Sequence, residues 1–400
     1  MKRRSFIKNS TLLTGSMLIQ KHLKYQNTFT SNEIINIGLI GCGGRGNGII
    51  DDVITKMIDK FRVVAICDIL DFRLQEASKL VPKAIAYKNY LQLLEDKNVD
   101  AVIIATPLYL HYKMAADALH AGKHIYLEKT MTFTIDQAIN LVHQAKQHPN
   151  QILQIGHQLP YTPLYQRVYE MIQKGHLGKV TQIDCRYDRN SNWRKPVTDP
   201  NLEKIINWRM YKAYSGGLTA EILAHQIEFV NWAFNTHPDY IFSTSGIDFY
   251  NDGRETFDNV QVMLRYEKDK MIGNYGATCA NSRDGFIFKI KGSKGTVELL
   301  FEEGYYYPEA ETKKQLETVD GVAGATKIEW KKDGGIPILK TPMKEATWYA
   351  FEDFYKCITE KKQPLVDVVA GAKSAISVCL SNEALYNKKI ENWKSEFNVL

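Results

Sequence analysis

Cysteine is scarce and scattered. Cys42, Cys67, Cys185, Cys279, Cys357 and Cys379 form no C-x-x-C pair and no Cys/His cluster at metal-ligand spacing. That excludes a disulfide framework and a structural zinc site, and leaves the thiols as small buried apolar groups. No stretch beyond the basic N-terminal segment reaches the length of a membrane span, and there is no internal repeat or low-complexity linker. Net charge is missing too, once its source is located. The formal +6 comes from Lys2, Arg3, Arg4, Lys8, Lys21 and Lys24, in a segment without Asp or Glu; with these six set aside, basic and acidic residues balance at 45 each. A neutral chain carries no electrostatic footprint for nucleic acid or an anionic membrane.

What remains is 400 residues, 44% of them apolar, enough for a sizeable core and for two or three domains. The opening Arg3-Arg4-Ser5-Phe6-Ile7-Lys8 resembles a twin-arginine export signal, and the charge-free residues 9–20 follow it. Residues 1–30 are therefore expected to be an export signal leading to the periplasm. The alternative is a basic tail on a cytoplasmic protein, since Thr14-Gly15-Ser16 interrupts the apolar segment and no small-x-small cleavage site is evident.

From Ile35 onward, short apolar runs alternate with amphipathic segments: "INIGLIG", "RVVAIC", "DAVIIAT", "KHIYLEK" and "QILQIG" are separated by helical spacings. Continuous apolar strands between helices predict a parallel sheet covered on both faces, an α/β Rossmann-like domain over 34–156. Beyond His157 strands follow one another ("KVTQIDCRYD", "NVQVMLRY", "MIGNYGAT", "GFIFKIKG", "GTVELLF"), with one helix after Gly216-Gly217. This predicts a second α+β domain over 157–345 with a largely antiparallel sheet. Residues 346–400 return to helix and are expected to pack back on the first domain.

Gly41-Cys42-Gly43-Gly44-Arg45-Gly46 is a G-x-G-x-x-G between the first strand and the first helix. Gly41 suits a tight turn, Gly43 a close approach to a pyrophosphate, and Gly46 close helix packing; Gly44 and Arg45 complete the loop. Asp68 ends the second strand, at the spacing where an acid accepts the ribose hydroxyls of NAD and repels a 2′-phosphate. Arg73, close by in sequence, leaves NADP open. A glycine-rich turn and a helix cap would explain each feature singly; together they predict dinucleotide binding. At the carboxyl edge of "HIYL" stand Glu128 and Lys129, either a surface ion pair or groups that a ligand requires. Glu221 and His225, four apart on the expected helix, share a stripe with Glu228 and Trp232, opposite Leu223, Ile227, Val230 and Phe234.

With "IGLIGCGGRG", "ATPLYLHYKMAADALHAGKHIYLEK", "KGHLGKV", "GGLTAEILAHQIEFVNW" and "KGSKGTVEL", the chain resembles the glucose-fructose oxidoreductase and inositol dehydrogenase family, Gfo/Idh/MocA. The resemblance implies a Rossmann domain with tightly held NAD, an open-faced sheet supporting a homodimer or homotetramer, and a sugar, polyol or glycoside substrate. It implies that Lys129 reaches nicotinamide and a reacting hydroxyl, that Glu128 contacts the cofactor side, and that Thr106, Pro107 and His111 border the cofactor. His225 would be the general base and Glu221 its support, in place of the family's Asp. Thr130 replaces the family's proline after the lysine, which makes a cis peptide there an unfavourable expectation. His157, Arg186, Trp193, Arg194, Trp208 and Arg209 are candidate substrate residues, readable equally as core aromatics, structural histidine or surface arginines.

The expected activity is hydride transfer from a carbinol carbon. The alternatives are an NAD-dependent glycosidase working by transient oxidation, elimination, hydration and re-reduction, and a nucleotide-holding sensor.

Overall fold

The computed structural model describes residues 33–283, 285–319, 322–323 and 333–398; the twin-arginine segment lies outside them. β1 (Ile35–Ile40), β2 (Phe61–Cys67), β3 (Ile85–Tyr87), β4 (Ala101–Ile104), β5 (His124–Glu128) and β6 (Leu153–Gly156) form one sheet in the order β3-β2-β1-β4-β5-β6. All its pairings are parallel. The connections run through α1 (Gly44–Asp52), α2 (Asp71–Leu80), α3 (Tyr90–Glu95), α4 (His111–His120) and α5 (Ile135–Gln147). Every residue of β4 and β6 is buried, which explains why β4 reads as an unbroken apolar run; Gln154 of β6 is accommodated by donating to Ala350 O. β3 gave no such run because it is a short edge strand with two exposed residues.

After α6 (Pro163–Gln173), β7 (Val180–Tyr187) and the single turn α7 (Glu203–Ile206), a π-helical turn at Thr219–Leu223 leads into α8 (Ala224–Ala233). There follow β8 (Tyr240–Gly246), β9 (Asn259–Tyr266), β10 (Met271–Thr278), β11 (Phe286–Gly292), β12 (Gly295–Leu299), β13 (Gly304–Pro308) and α9 (Ala310–Glu317). The second sheet runs β13-β12-β11-β7-β10-β9-β8, with the two-residue strands Ile336–Pro337 and Glu391–Asn392 at its edges. β7 and β10 are parallel, while the other pairings are antiparallel.

β9 shows what this sheet does: Val260, Val262, Leu264 and Tyr266 are buried, whereas Gln261, Met263 and Arg265 alternate with them on the far face. The buried face packs on α6 and α8, with Phe229 5.8 Å from Phe288 and 4.8 Å from Tyr165 between ring centroids. The far face is open and carries exposed Phe242, Met263 and Ile272.

α10 (Ala346–Glu360) returns to the first sheet, where Phe351 stacks on Tyr126 of β5 at 4.4 Å and meets Phe61 of β2 edge-on at 5.9 Å. α11 (Val368–Asn387) touches both layers. Cys379 Sγ donates to Phe133 O, Ser377 Oγ accepts from Asn231 of α8, and Asn382 donates to Gly216 O. All six cysteines are buried and free. Among the described residues no helix is long and apolar enough to cross a membrane.

Candidate functional site

The glycine loop between β1 and α1 has the shape its residues predict. Gly41 has φ +97°, and a Cβ there would lie 2.7 Å from Ala105 O. A Cβ on Gly46 would come within 2.0 Å of Gly41 O, so α1 can start this close to the strand only with glycine. Gly43 and Gly44 differ: a Cβ on Gly43 meets nothing nearer than Arg73 at 3.9 Å, and one on Gly44 meets nothing within 4 Å. These two positions leave backbone exposed to a ligand rather than to protein.

Asp68 is buried. Its Oδ2 accepts from Cys42 N and its Oδ1 from Leu70 N, each at 2.9 Å, and Arg73 Nη1 lies 3.8 Å from Oδ2. One backbone donor per oxygen leaves lone pairs for ribose hydroxyls. Thr106, beside Gly41, has a buried hydroxyl with no hydrogen-bond partner among the described residues. An open glycine backbone at a helix start, a carboxylate at the end of β2 and an orphaned hydroxyl after β4 together fit a dinucleotide.

At the end of β5 the charges sort into pairs. Arg45 Nε donates to Glu128 Oε1 at 2.8 Å and Arg45 Nη2 to Thr347 Oγ1 at 3.2 Å. Lys129, half-buried, donates to Glu221 O at 2.8 Å and to Ala220 O at 3.3 Å. Burial pulls the Lys129 ammonium below its ordinary range, while Glu221 and Glu128 push it back up.

The Lys129–Thr130 peptide is cis, against the expectation drawn from the missing proline. Thr130 is held from two sides instead. Its hydroxyl donates to Ala220 O at 3.1 Å, and its carbonyl faces His111 Nδ1 at 2.8 Å. The other His111 nitrogen faces Thr106 O at 3.0 Å, so His111 joins the loop after β4 to the loop after β5, with Pro107 between.

The pairing of Glu221 with His225 is corrected by the structure. Glu221 accepts from Arg209 Nε at 2.7 Å, and the described residues offer His225 Nδ1 no hydrogen-bond partner. The physical reason is competition: the Arg209 guanidinium lies within hydrogen-bond reach of the Glu221 carboxylate and takes it. Burial drives the Glu221 carboxyl upward, but Arg209 and Lys129 outweigh it and hold it below the usual range. The neighbour of His225 is His157, with ring centroids 5.6 Å apart and planes at 86°. His157 is fully buried, and neither of its nitrogens has a partner among the described residues. Burial pulls His225 well below the ordinary histidine value and His157 down to about 3, with Lys129 adding to both.

The remaining candidates divide. Arg209 belongs to the cleft through Glu221, and its guanidinium lies 4.2 Å from the ring centre of buried Trp208. Arg194 is taken by Glu203 and Asp252, and neighbouring Trp193, at φ +63°, is partly buried against the core. Arg186 stands on the open face of the second sheet, bonded to Gln261 over Gly276, and is not brought together with Lys129.

Sequence reasoning missed Thr347, which no local signal connects to Arg45. It also missed the contact of Tyr109 with Tyr214 at 4.9 Å, which joins the loop after β4 to the segment before Gly216. The "TPLYLH" stretch held the first of that pair.

A family model described as "Oxidoreductase family, NAD-binding Rossmann fold" matches residues 35–157, and the "GFO/IDH/MocA C-terminal domain" matches residues 165–298. The chain is 27% identical over 203 residues to inositol 2-dehydrogenase/D-chiro-inositol 3-dehydrogenase of Lactiplantibacillus plantarum, covering 50% of this chain and 53% of that protein. It is 27% identical over 270 residues to a glycosyl hydrolase family 109 protein of Shewanella amazonensis, covering 64% and 56%. The chain thus spans about half the length of the curated relatives it matches. Levoglucosan dehydrogenase, solved with NADH and levoglucosan, shares the fold at a TM-score of 0.73 and 20% identity, over 90% of this chain and 99% of that one. With residues 35–157 and 165–298 both matched and the site arranged on them, the chain belongs to the Gfo/Idh/MocA oxidoreductase family, and residues 35–157 are its NAD-binding Rossmann domain.

Proposed function

We propose that the protein is a nicotinamide-dependent oxidoreductase that removes hydride from a carbinol carbon of a sugar, polyol or glycoside. The observation carrying this reading is the Lys129 ammonium, held by two backbone carbonyls at the carboxyl edge of the first sheet, where both His157 nitrogens and His225 Nδ1 have no hydrogen-bond partner among the described residues. Gly43, Gly44, Asp68 and Thr106 would hold NAD, which when bound supplies a hydride acceptor. Lys129 donates to the substrate hydroxyl and stabilises negative charge as its proton leaves. His225, kept neutral by burial, accepts that proton. Glu221 fixes Lys129 through its carbonyl and Arg209 through its carboxylate. Lys129→Met should leave NADH binding intact and lower kcat by about 10²–10³-fold. An unchanged kcat would remove Lys129 from the mechanism.

Likeness to the Shewanella glycosyl hydrolase family 109 protein favours a second reading, redox-neutral glycoside cleavage by transient oxidation, elimination, hydration and re-reduction. Release of aglycone from aryl glycosides without added cofactor or net NADH would select it. Net NADH from free sugars would select the first.

Tight cofactor retention, twin-arginine export to the periplasm and homo-oligomerisation through the open face belong to the same proposal. The exposed Phe242, Met263 and Ile272 support that interface, and a Met263→Glu variant that sediments like the wild type would dismiss it. Recovery of the protein solely from the cytoplasmic fraction would dismiss export.

A further inference from the structure

We propose that His157 is the positioning residue for His225, accepting a hydrogen bond from its Nδ1–H where related chemistry uses a carboxylate, and so presenting Nε2 to the substrate. The inference rests on His225 being the base. A general base needs a third group to fix its tautomer, because only the unprotonated ring nitrogen can take the proton.

Among the described residues no carboxylate is hydrogen-bonded to His225 Nδ1. From its own helix, Glu221 is bonded to Arg209. Glu228, one turn on, is buried with both oxygens unpartnered among the described residues, and burial raises its carboxyl far above the usual value, which favours the neutral acid over a carboxylate. From the first sheet come Lys129, bonded to carbonyls, and Arg45, bonded to Glu128. His157, just after β6, is the group whose ring lies against His225, and its nitrogens have lone pairs to offer.

Its own state calls for a partner. A buried imidazole with orphaned nitrogens forfeits its hydration without replacing it, and such groups are retained where a water, ligand or moving neighbour completes them. His157 and His225 already touch edge to face, and rotation of one ring turns a nitrogen toward the other. Catalytic hydrogen bonds often close only when substrate arrives. The arrangement has a consequence a carboxylate would not. A neutral partner beside the Lys129 ammonium does nothing to favour His225 imidazolium, so the base stays free in mildly acidic solution.

Two readouts test this. In histidine labelled with ¹⁵N, long-range proton–nitrogen correlation should find His225 with Nδ1–H in the wild-type holoenzyme with substrate analogue bound. His157→Phe keeps the ring contact but has no acceptor and should give a mixed or reversed tautomer, whereas His157→Gln, with an accepting oxygen, should keep Nδ1–H. In turnover, His157→Phe should lose about tenfold or more in kcat with KM within about twofold, and His157→Gln should recover most of it. His157→Glu, which restores a carboxylate, should move the acidic limb of kcat/KM upward in pH. A folded His157→Phe protein that binds NADH normally and keeps the Nδ1–H tautomer overturns the proposal. So does one that keeps wild-type kcat and acidic limb. If His157→Phe does not fold, His157→Met enters the same comparison. Failure of the wild type to turn over any sugar or glycoside would refute the proposed function, and the tautomer measurement would still decide the role of His157.

Discussion

Gly43 and Gly46 are three residues apart in one loop, yet alanine should act on them in opposite ways. At Gly46 the added Cβ would lie 2.0 Å from Gly41 O and 3.1 Å from Leu39 Cδ1. The carbonyl cannot yield cheaply: Gly41 is held in a left-handed conformation, and its N–H donates to Cys67 O at 2.8 Å. A carbon and an oxygen need roughly 3.3 Å, so α1 must shift by about 1 Å away from β1, and overpacking of this kind costs about 1–3 kcal/mol. At Gly43 the backbone is extended, at φ −77° and ψ −175°, which any residue adopts, and the nearest atom to a new Cβ is the flexible end of Arg73 at 3.9 Å. Gly43→Ala should therefore melt within a degree or so of wild type, or slightly above it, since alanine restricts the unfolded chain.

If a pyrophosphate lies against that backbone, the same methyl blocks its approach, and NADH affinity should fall about tenfold or more, some 1.4 kcal/mol. Thermal melting by circular dichroism and titration of NADH fluorescence measure the two effects on one preparation. Normal melting of Gly46→Ala would refute the packing argument. Wild-type NADH affinity in Gly43→Ala would refute the placement of the cofactor.

Acid should destabilise the protein in a traceable way. The His157 folded value, about 3, lies below the unfolded value near 6.5, so stability contributed by the neutral ring is present above pH 6.5 and lost as pH falls toward 3. Urea midpoints of His157→Gln measured at pH 7.5 and 5 should diverge less than those of wild type, and equal divergence would refute the assignment. Phe351→Ala should cost about 3–5 kcal/mol, because the ring is fully buried against Tyr126 and Phe61 and its loss leaves a cavity between α10 and the first sheet. A loss under about 1 kcal/mol in chemical denaturation would mean that α10 is not anchored there.

Local chemistry was legible wherever the relevant partners are neighbours in sequence. The glycine spacing, the apolar strand before it and the acid at the end of β2 describe a loop whose constraints operate within thirty residues, and the structure realises them directly. Lys129 could be picked out because an ammonium at the end of a buried strand is costly without a use. The partnership of Glu221 with His225 could not be read correctly, because no local signal brings Arg209, twelve residues earlier, onto the Glu221 carboxylate. Nor could the side of the second sheet on which Arg186 stands, since alternation assigns two faces without saying which one the helices cover.

By itself, the amino-acid order determined the class of each layer, the dinucleotide loop and the candidate chemical groups, because periodicity, glycine geometry and the desolvation cost of charge act along a few consecutive residues. Only the tertiary structure decided which charges pair. Arg45 finds Glu128 and Thr347, Glu221 finds Arg209, and two imidazoles are left facing each other. The reason is that electrostatic pairing depends on distance in space, and the distances that matter here join segments as far apart as residues 45 and 347 through packing of the whole core.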